Sequence, residues 1–309
     1  DYLISQEIIP CIFGGWGNNT EVLGKKKIKI LWRELIARYA SYPVIFVLCG
    51  EIDGFVHKNV FVGKRVMYKI FKNDLLKKYL KFSKIVMSHI NILSKNNNAK
   101  YLKKRISFWN EIVIYIKQIN PFNNILGTHV TSTNSAWEIF NKPDWLDFNS
   151  IQSGHDQNRR SSIVTSILSD KSNLPFVNLE PWYEGILNNF NEKDQRYAFW
   201  MSILSGAAGC SYGANGLWQM SNDNDHFLDH WGSGVWNKAL NYQGVVSLGH
   251  AKKFLMKYEW WKLIPDLNII NPHFEEKHPN YPLAAKITNK FIFIYIPYSD
   301  QSVYTLRLD

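Results

Sequence analysis

Two apolar runs constrain this chain more than any other feature. VIFVLC (Val44–Cys49) and PFVNL (Pro175–Leu179) are rich in β-branched and large apolar residues, carry little polar alternation, and stop at an acid: Glu51 after Gly50 in the first, Glu180 in the second. A run of this kind reads as a strand covered on both faces, the mark of a parallel sheet. Parallel strands need long crossovers, and those are usually helices. Each run therefore calls for helices around it, and each acid falls at the C-terminal edge of its strand.

The rest of the chain meets that demand. IIPCIF (Ile8–Phe13) reads as a strand running into GGWG, and KKKIKILWRELIARYASY (Lys25–Tyr42) as a helix stopped by Pro43. ISFWNEIVIYIKQIN (Ile106–Asn120) is a further helix, closed by Pro121. ILGTHVT (Ile125–Thr131) and LDFNSIQSGH (Leu146–His155) are strands, and a helix near Arg159 to Leu168 leads into PFVNL. DQRYAFWMSILSG (Asp194–Gly206) is a helix, AAGCSYGANGLW (Ala207–Trp218) opens as a Gly-broken strand, and VVSLGHAKKFLMKYEWW (Val245–Trp261) is helical again.

Six strands result, two short of the eight that close a (β/α)8 barrel. The expected fold is therefore α/β, a (β/α)8 TIM-type barrel over residues 1–271 that lacks its first βα units, with a basic insertion at about 54–105. From Pro272 the pattern changes: KFIFIYIP alternates and SVYTLRL is a second short strand, so residues 272–309 read as a partial C-terminal β domain. The chain opens at Asp1, as expected of a processed or truncated product, and its compartment is not legible there.

The net charge of +10 is local. Between Lys58 and Arg105 there are 14 Lys or Arg against one acid, Asp74, so this stretch carries +13 and everything outside it sums to −3. Its intervening residues hold helical apolar spacing, with one amphipathic helix near Leu75 to Leu93, and the charges read as a solvated face. Nucleic acid and acidic surfaces are therefore not expected as partners. No run is apolar enough to span a membrane, no signal peptide is present, and nothing fixes an oligomeric state. Cys11, Cys49 and Cys210 sit in apolar runs without metal-like spacing and read as buried thiols.

Two strand-end acids far apart in sequence are what glycoside hydrolysis needs: one to protonate the leaving oxygen, one to attack or to activate water. Glu51 and Glu180 are the expected pair, with Asp53 and Glu184 as their nearest rivals. His129 and His155 follow strands, and with Gln152 and Asn215 read as hydrogen-bonding partners for sugar hydroxyls. Trp16, Trp182, Tyr183, Tyr212 and Trp218 offer rings on which a sugar could stack, although large aromatics also fill barrel walls. DHFLDH places His226 and His230 four apart, but no third ligand accompanies them, so no metal and no cofactor are expected. NNT at Asn18 is a glycosylation sequon.

In this order, LIARYASYPVIFVLCGE, LDFNSIQSGH, PFVNLEPWYEGI and SILSGAAGCSYGANGLWQ resemble the apiosidase-like glycoside hydrolases. The resemblance runs from about Ile8 to Pro265, broken by the basic insertion. It implies a clan-A-type (β/α)8 barrel followed by a small β domain, a carbohydrate substrate, and an acid/base at the end of the fourth barrel strand, here Glu51. It implies a nucleophile at the end of the seventh, here Glu180. Some relatives carry Asp at the first position, so Glu51 alters reach by one methylene. The family's characterised activity is removal of apiose from pectin side chains, and secretion or a periplasmic location is compatible with that. With these roles the expected mechanism is retaining, with Glu51 holding a proton near neutral pH and Glu180 ionised; the alternative reading is a non-catalytic or degenerate carbohydrate-binding barrel.

Overall fold

The structure, a computed structural model, describes residues 2–17, 19–54, 101–131, 134–155, 162–224, 229–271, 281–297 and 305–307. Most of the basic insertion, including the expected helix near Leu75 to Leu93, lies outside the described residues, as do Asn18 and His226. The chain forms two compact units, Asp1–Val130 with Ile139–Trp145 and Thr131–Glu138 with Leu146–Asp309. Each unit carries a three-stranded parallel sheet, and the class is mixed α/β.

In the first unit β1 (Cys11–Phe13) pairs with β2 (Ile45–Val47), and β2 with β3 (Leu126–Gly127), leaving β2 central. The ladder strands are shorter than the apolar runs that contain them. Pairing continues irregularly: Leu48 donates to the Gly127 carbonyl, His129 to Cys49 and Ile52 to His129. The crossover from β1 to β2 is helix α1 (Asn19–Tyr39), which begins earlier than its apolar pattern and breaks at Gly24, with φ 68° and ψ 168°. Ile28, Trp32, Ile36 and Ala40 recur every fourth residue and are all buried, with Trp32 edge-on to Phe46 at 5.7 Å. The helix over residues 101–119, α2, buries Arg105, Trp109, Ile112, Val113 and Ile116 in the same manner.

In the second unit β5 (Phe176–Asn178) is central, between β4 (Asn149–Ile151) and β6 (Gly209–Cys210), all parallel. Helix α3 (Ser162–Leu168) connects β4 to β5, and α4 (Glu192–Leu204) connects β5 to β6. A capping box starts α4: the Asn191 side chain accepts from Lys193 N, and Asp194 accepts from Asn191 N. Asn178 cross-links the sheet, donating to the hydroxyls of Ser153 and Ser202 at 3.1 and 3.2 Å, so its burial is satisfied. Helix α5 (Gln243–Leu255) follows β6 at a distance in sequence.

The C-terminal strands are antiparallel. The hairpin of β9 (Leu283–Ile287) and β10 (Phe291–Tyr295) is joined by β7 (Ile264–Pro265), and β8 (Ile270–Asn271) pairs with β11 (Thr305–Leu306). The antiparallel layer thus draws on strands that precede residue 272. Leu283, Ala285, Ile287 and Phe293 join Tyr197, Met201, Leu204 and Leu255 in one apolar cluster, so this layer packs on α4 and α5. No helix among the described residues is long and apolar enough to cross a membrane.

Candidate active site

In the first unit the central strand β2 leads through Leu48, Cys49 and Gly50 to Glu51. Gly50 forms a parallel bridge with Trp16, whose ring lies so close that a β-carbon on residue 50 would fall 2.3 Å from it. Glycine is therefore required where the Trp16 ring approaches this strand end. Packed there, the indole Nε1 donates to Glu51 Oε2 at 3.2 Å. His129, from the end of β3, accepts at Nδ1 from the Glu51 backbone N–H at 3.3 Å, and its ring meets Trp16 edge-on at 6.0 Å. Phe13 stacks on Trp16 at 6.4 Å. Glu51 itself has φ 42°, a left-handed conformation that an unbranched L-residue takes only at a cost.

The loop beyond Glu51 is fastened from below. Arg105 is buried and donates from Nη1 to the carbonyls of Ile52 and Gly54 and from Nη2 to the Tyr101 hydroxyl. Asp53, the rival acid, is buried in the same loop. Sequence reasoning counted Arg105 with the basic insertion; its register on the buried face of α2, four residues before Trp109, was the available signal.

In the second unit the central strand β5 ends at Glu180, which is 7 % exposed. Its Oε1 lies 3.0 Å from His155 Nε2, and its backbone carbonyl accepts from Gly154 N. With the proton on Nε2, His155 is the donor and the carboxylate the acceptor. Tyr183 and Trp231 flank the imidazole at 4.9 and 6.0 Å, and Trp218 stands 6.5 Å from Tyr183. Gly213 admits Tyr183, since a β-carbon there would lie 2.1 Å from its ring. Trp231 was missed by sequence reasoning; nothing in WGSG beyond its Trp-Gly composition marks it.

Glu184 lies on the same loop but is occupied differently. Its Oε2 accepts from the Tyr212 hydroxyl at 2.8 Å and from Gly244 N at 2.9 Å, the second peptide of α5. Glu184 thus supplies the side-chain cap that α5 lacks at Tyr242, an anion at the positive end of a helix. Burial nevertheless pushes the Glu184 carboxyl up from its ordinary value, and burial, then the neighbouring carboxylate, raises the Tyr212 hydroxyl as well.

The expected binding residues divide. Trp16 and Trp218 are 41 % and 44 % exposed, and Tyr183 is half-buried beside the imidazole, so all three can present a ring. His129 and His155 stand beside Glu51 and Glu180. Gln152 is buried at the end of β4. Trp182 is a correction: it is completely buried, stacked on Phe190 at 5.6 Å and 11°, because its ring points into the apolar cluster rather than to solvent. Asn215 is another, fully buried, donating to the Trp231 carbonyl and accepting from Gly234 N, so it ties loops together. Tyr212 likewise spends its hydroxyl on Glu184. His230 sits on the short turn Asp229–Trp231.

The family model described as apiosidase-like, catalytic domain, matches residues 2–262. A solved structure titled glycoside hydrolase aligns with a TM-score of 0.69 at 19% identity, covering 94% of this chain and 60% of its own. A glycoside hydrolase family 5 protein from Bacteroides vulgatus aligns with a TM-score of 0.69 at 19% identity, covering 95% of this chain and 59% of its own. At that identity the likeness is one of fold, and the chain spans about three fifths of the length of either structure. No curated protein matches. Because the family model covers most of the sequence, from residue 2 to residue 262, the chain belongs to the apiosidase-like family of glycoside hydrolase catalytic domains.

Proposed function

We propose that this chain is the catalytic core of a retaining glycoside hydrolase on a (β/α)8-type barrel, with Glu51 as acid/base and Glu180 as nucleophile. The observation that carries the reading is a repeated arrangement. The central strand of each parallel sheet ends in a carboxylate that an aromatic ring nitrogen contacts, Trp16 Nε1 at Glu51 and His155 Nε2 at Glu180. Each contact orients its own carboxylate, and a fixed orientation is what an acid/base or a nucleophile needs. The left-handed backbone at Glu51 supports the same reading, since strain of that kind gathers at working residues.

In the first step Glu51 gives its proton to the glycosidic oxygen as the bond from that oxygen to the anomeric carbon breaks. A Glu180 oxygen adds to the anomeric carbon through an oxocarbenium-like transition state, giving a glycosyl ester. In the second step Glu51 takes a proton from water, whose oxygen displaces Glu180 and restores both acids. His155 is a positioning residue for Glu180, and Trp16, Tyr183 and Trp218 supply faces for the sugar ring. The substrate proposed is a side chain of a plant-type or bacterial polysaccharide, with an apiosyl unit the first to assay.

The test is hydrolysis of a panel of aryl glycosides and pectic oligosaccharides by the chain, by Glu51→Gln and by Glu180→Gln. Activity lost in both variants and a first-formed product of retained anomeric configuration are expected. Retention calls for carboxyl groups about 5–5.5 Å apart, so an inverted product, which calls for a gap above about 6.5 Å, would overturn the mechanism. Activity surviving either change would pass the role to Asp53 or Glu184.

A further inference from the structure

The second unit carries a depression of about 510 Å³ whose wall does not include Glu180, His155 or Tyr183. Asn188, Asn189 and Asn191 reach it from the loop after Glu180, and Ser233, Lys238 and Tyr242 from the stretch before α5. Phe190 and Val235 are buried and give it an apolar floor. Its volume lies within the range of about 300–1,000 Å³ usual for small-molecule sites.

The polar groups are arranged with capacity to spare. Asn188 Oδ1 is committed to the backbone N–H and hydroxyl of Ser233, and Asn191 Oδ1 to Lys193 N. Those bonds fix both side-chain amides in orientation, while neither Nδ2 nor the side-chain amide of Asn189 has a protein partner among the described residues. Amide donors, an amide acceptor and a hydroxyl over an apolar floor suit a ligand that is polar at its rim and apolar on one face. The two charges on the wall, Asp223 and Lys238, stand 3.8 Å apart and offset each other, which leaves no net charge to hold a phosphate or a carboxylate.

We propose that this depression is a second, non-catalytic binding site for one uncharged sugar residue. The choice of a sugar among uncharged polyols rests on the glycosidase reading; the site itself does not. Its floor is coupled to the catalytic loop, since Phe190 stacks on Trp182, two residues beyond Glu180. A polysaccharide held here would stay near the enzyme between cleavages, adding avidity without a new reaction.

The experiment is an NMR titration of the full chain with methyl β-xyloside, methyl β-galactoside and sodium galacturonate. Saturable millimolar binding of at least one neutral glycoside, tighter than galacturonate, is expected. Asn189→Trp, which fills the mouth, should weaken it at least about tenfold, and Lys238→Ala about threefold. Glu180→Gln should leave it within about twofold. Absence of saturable binding, preference for galacturonate, or binding lost in Glu180→Gln but kept in Asn189→Trp would overturn the proposal. Binding that survives in a chain without hydrolytic activity would separate this site from the catalytic reading.

Discussion

Glu51 combines a carboxylate with a backbone conformation that suits glycine or asparagine better. Glu51→Asn should therefore raise stability by up to about 1 kcal/mol in a denaturant melt while removing the carboxylate. A loss of stability would mean that the left-handed turn is not strained. Trp16 divides into two functions, a ring packed on Gly50 and an N–H aimed at Glu51. Trp16→Phe keeps the first and deletes the second, so kcat/KM should fall about tenfold to a hundredfold, the worth of a hydrogen bond to a charged group. An unchanged kcat/KM would show that the indole serves only as a stacking face. Neither property was legible in the sequence. GGWG and CGE announce a turn and a strand end, yet the contact between Trp16 and Glu51 joins residues 35 apart and depends on β1 and β2 lying side by side.

At the scale of elements, Glu184 joins the β5 loop, the β6 loop through its bridge to Ala214, and the first turn of α5. Glu184→Ala would leave Gly244 N and the Tyr212 hydroxyl unpaired and should cost about 1–3 kcal/mol. Glu184→Gln keeps an acceptor and should cost less than about 1 kcal/mol, with hydrolysis retained. Burial raises this carboxyl, so the folded state binds its proton more tightly than the unfolded one. The Glu184 contribution is therefore largest below the unfolded value of 4.5 and declines as pH climbs through the folded value; the Gln variant should lack that slope. Elements were read well where a period spoke for itself. Ile28, Trp32 and Ile36 mark α1, and all six parallel strands lie within the runs that announced them. Rings were read less well: Trp182 and Tyr183 are adjacent in sequence, but one packs under α4 and the other faces His155, a choice made by tertiary packing.

Across the whole molecule two of the three free thiols, Cys49 and Cys210, share one electrostatic condition, while Cys11, expected to be buried, is exposed because β1 turns its side chain to the surface. Burial pushes Cys210 up to about 12 and holds Cys49 well above the ordinary value of 9.0. Raised folded values mean stabilisation that is complete below about 9 and is lost as pH rises toward about 12. Tm should hold level to pH 8 and then fall, less steeply in Cys210→Ala; an identical alkaline slope in that variant would assign the loss elsewhere. Native protein should react with a thiol reagent at the exposed Cys11, whereas Cys49 and Cys210 should release colour only once denaturant exposes them. The packing of Leu283, Ala285, Ile287 and Phe293 against Met201 and Leu204 has a different consequence, one in time. A ribosome adding about 5–20 residues per second makes α4 on the order of ten seconds before it makes β10. During that interval the patch of α4 that meets β9 and β10 has no cover, so the second unit completes its core only as those strands are synthesised. A nascent chain arrested before Tyr281 should be held by chaperones or aggregate, and the same chain arrested beyond Tyr295 should resist protease.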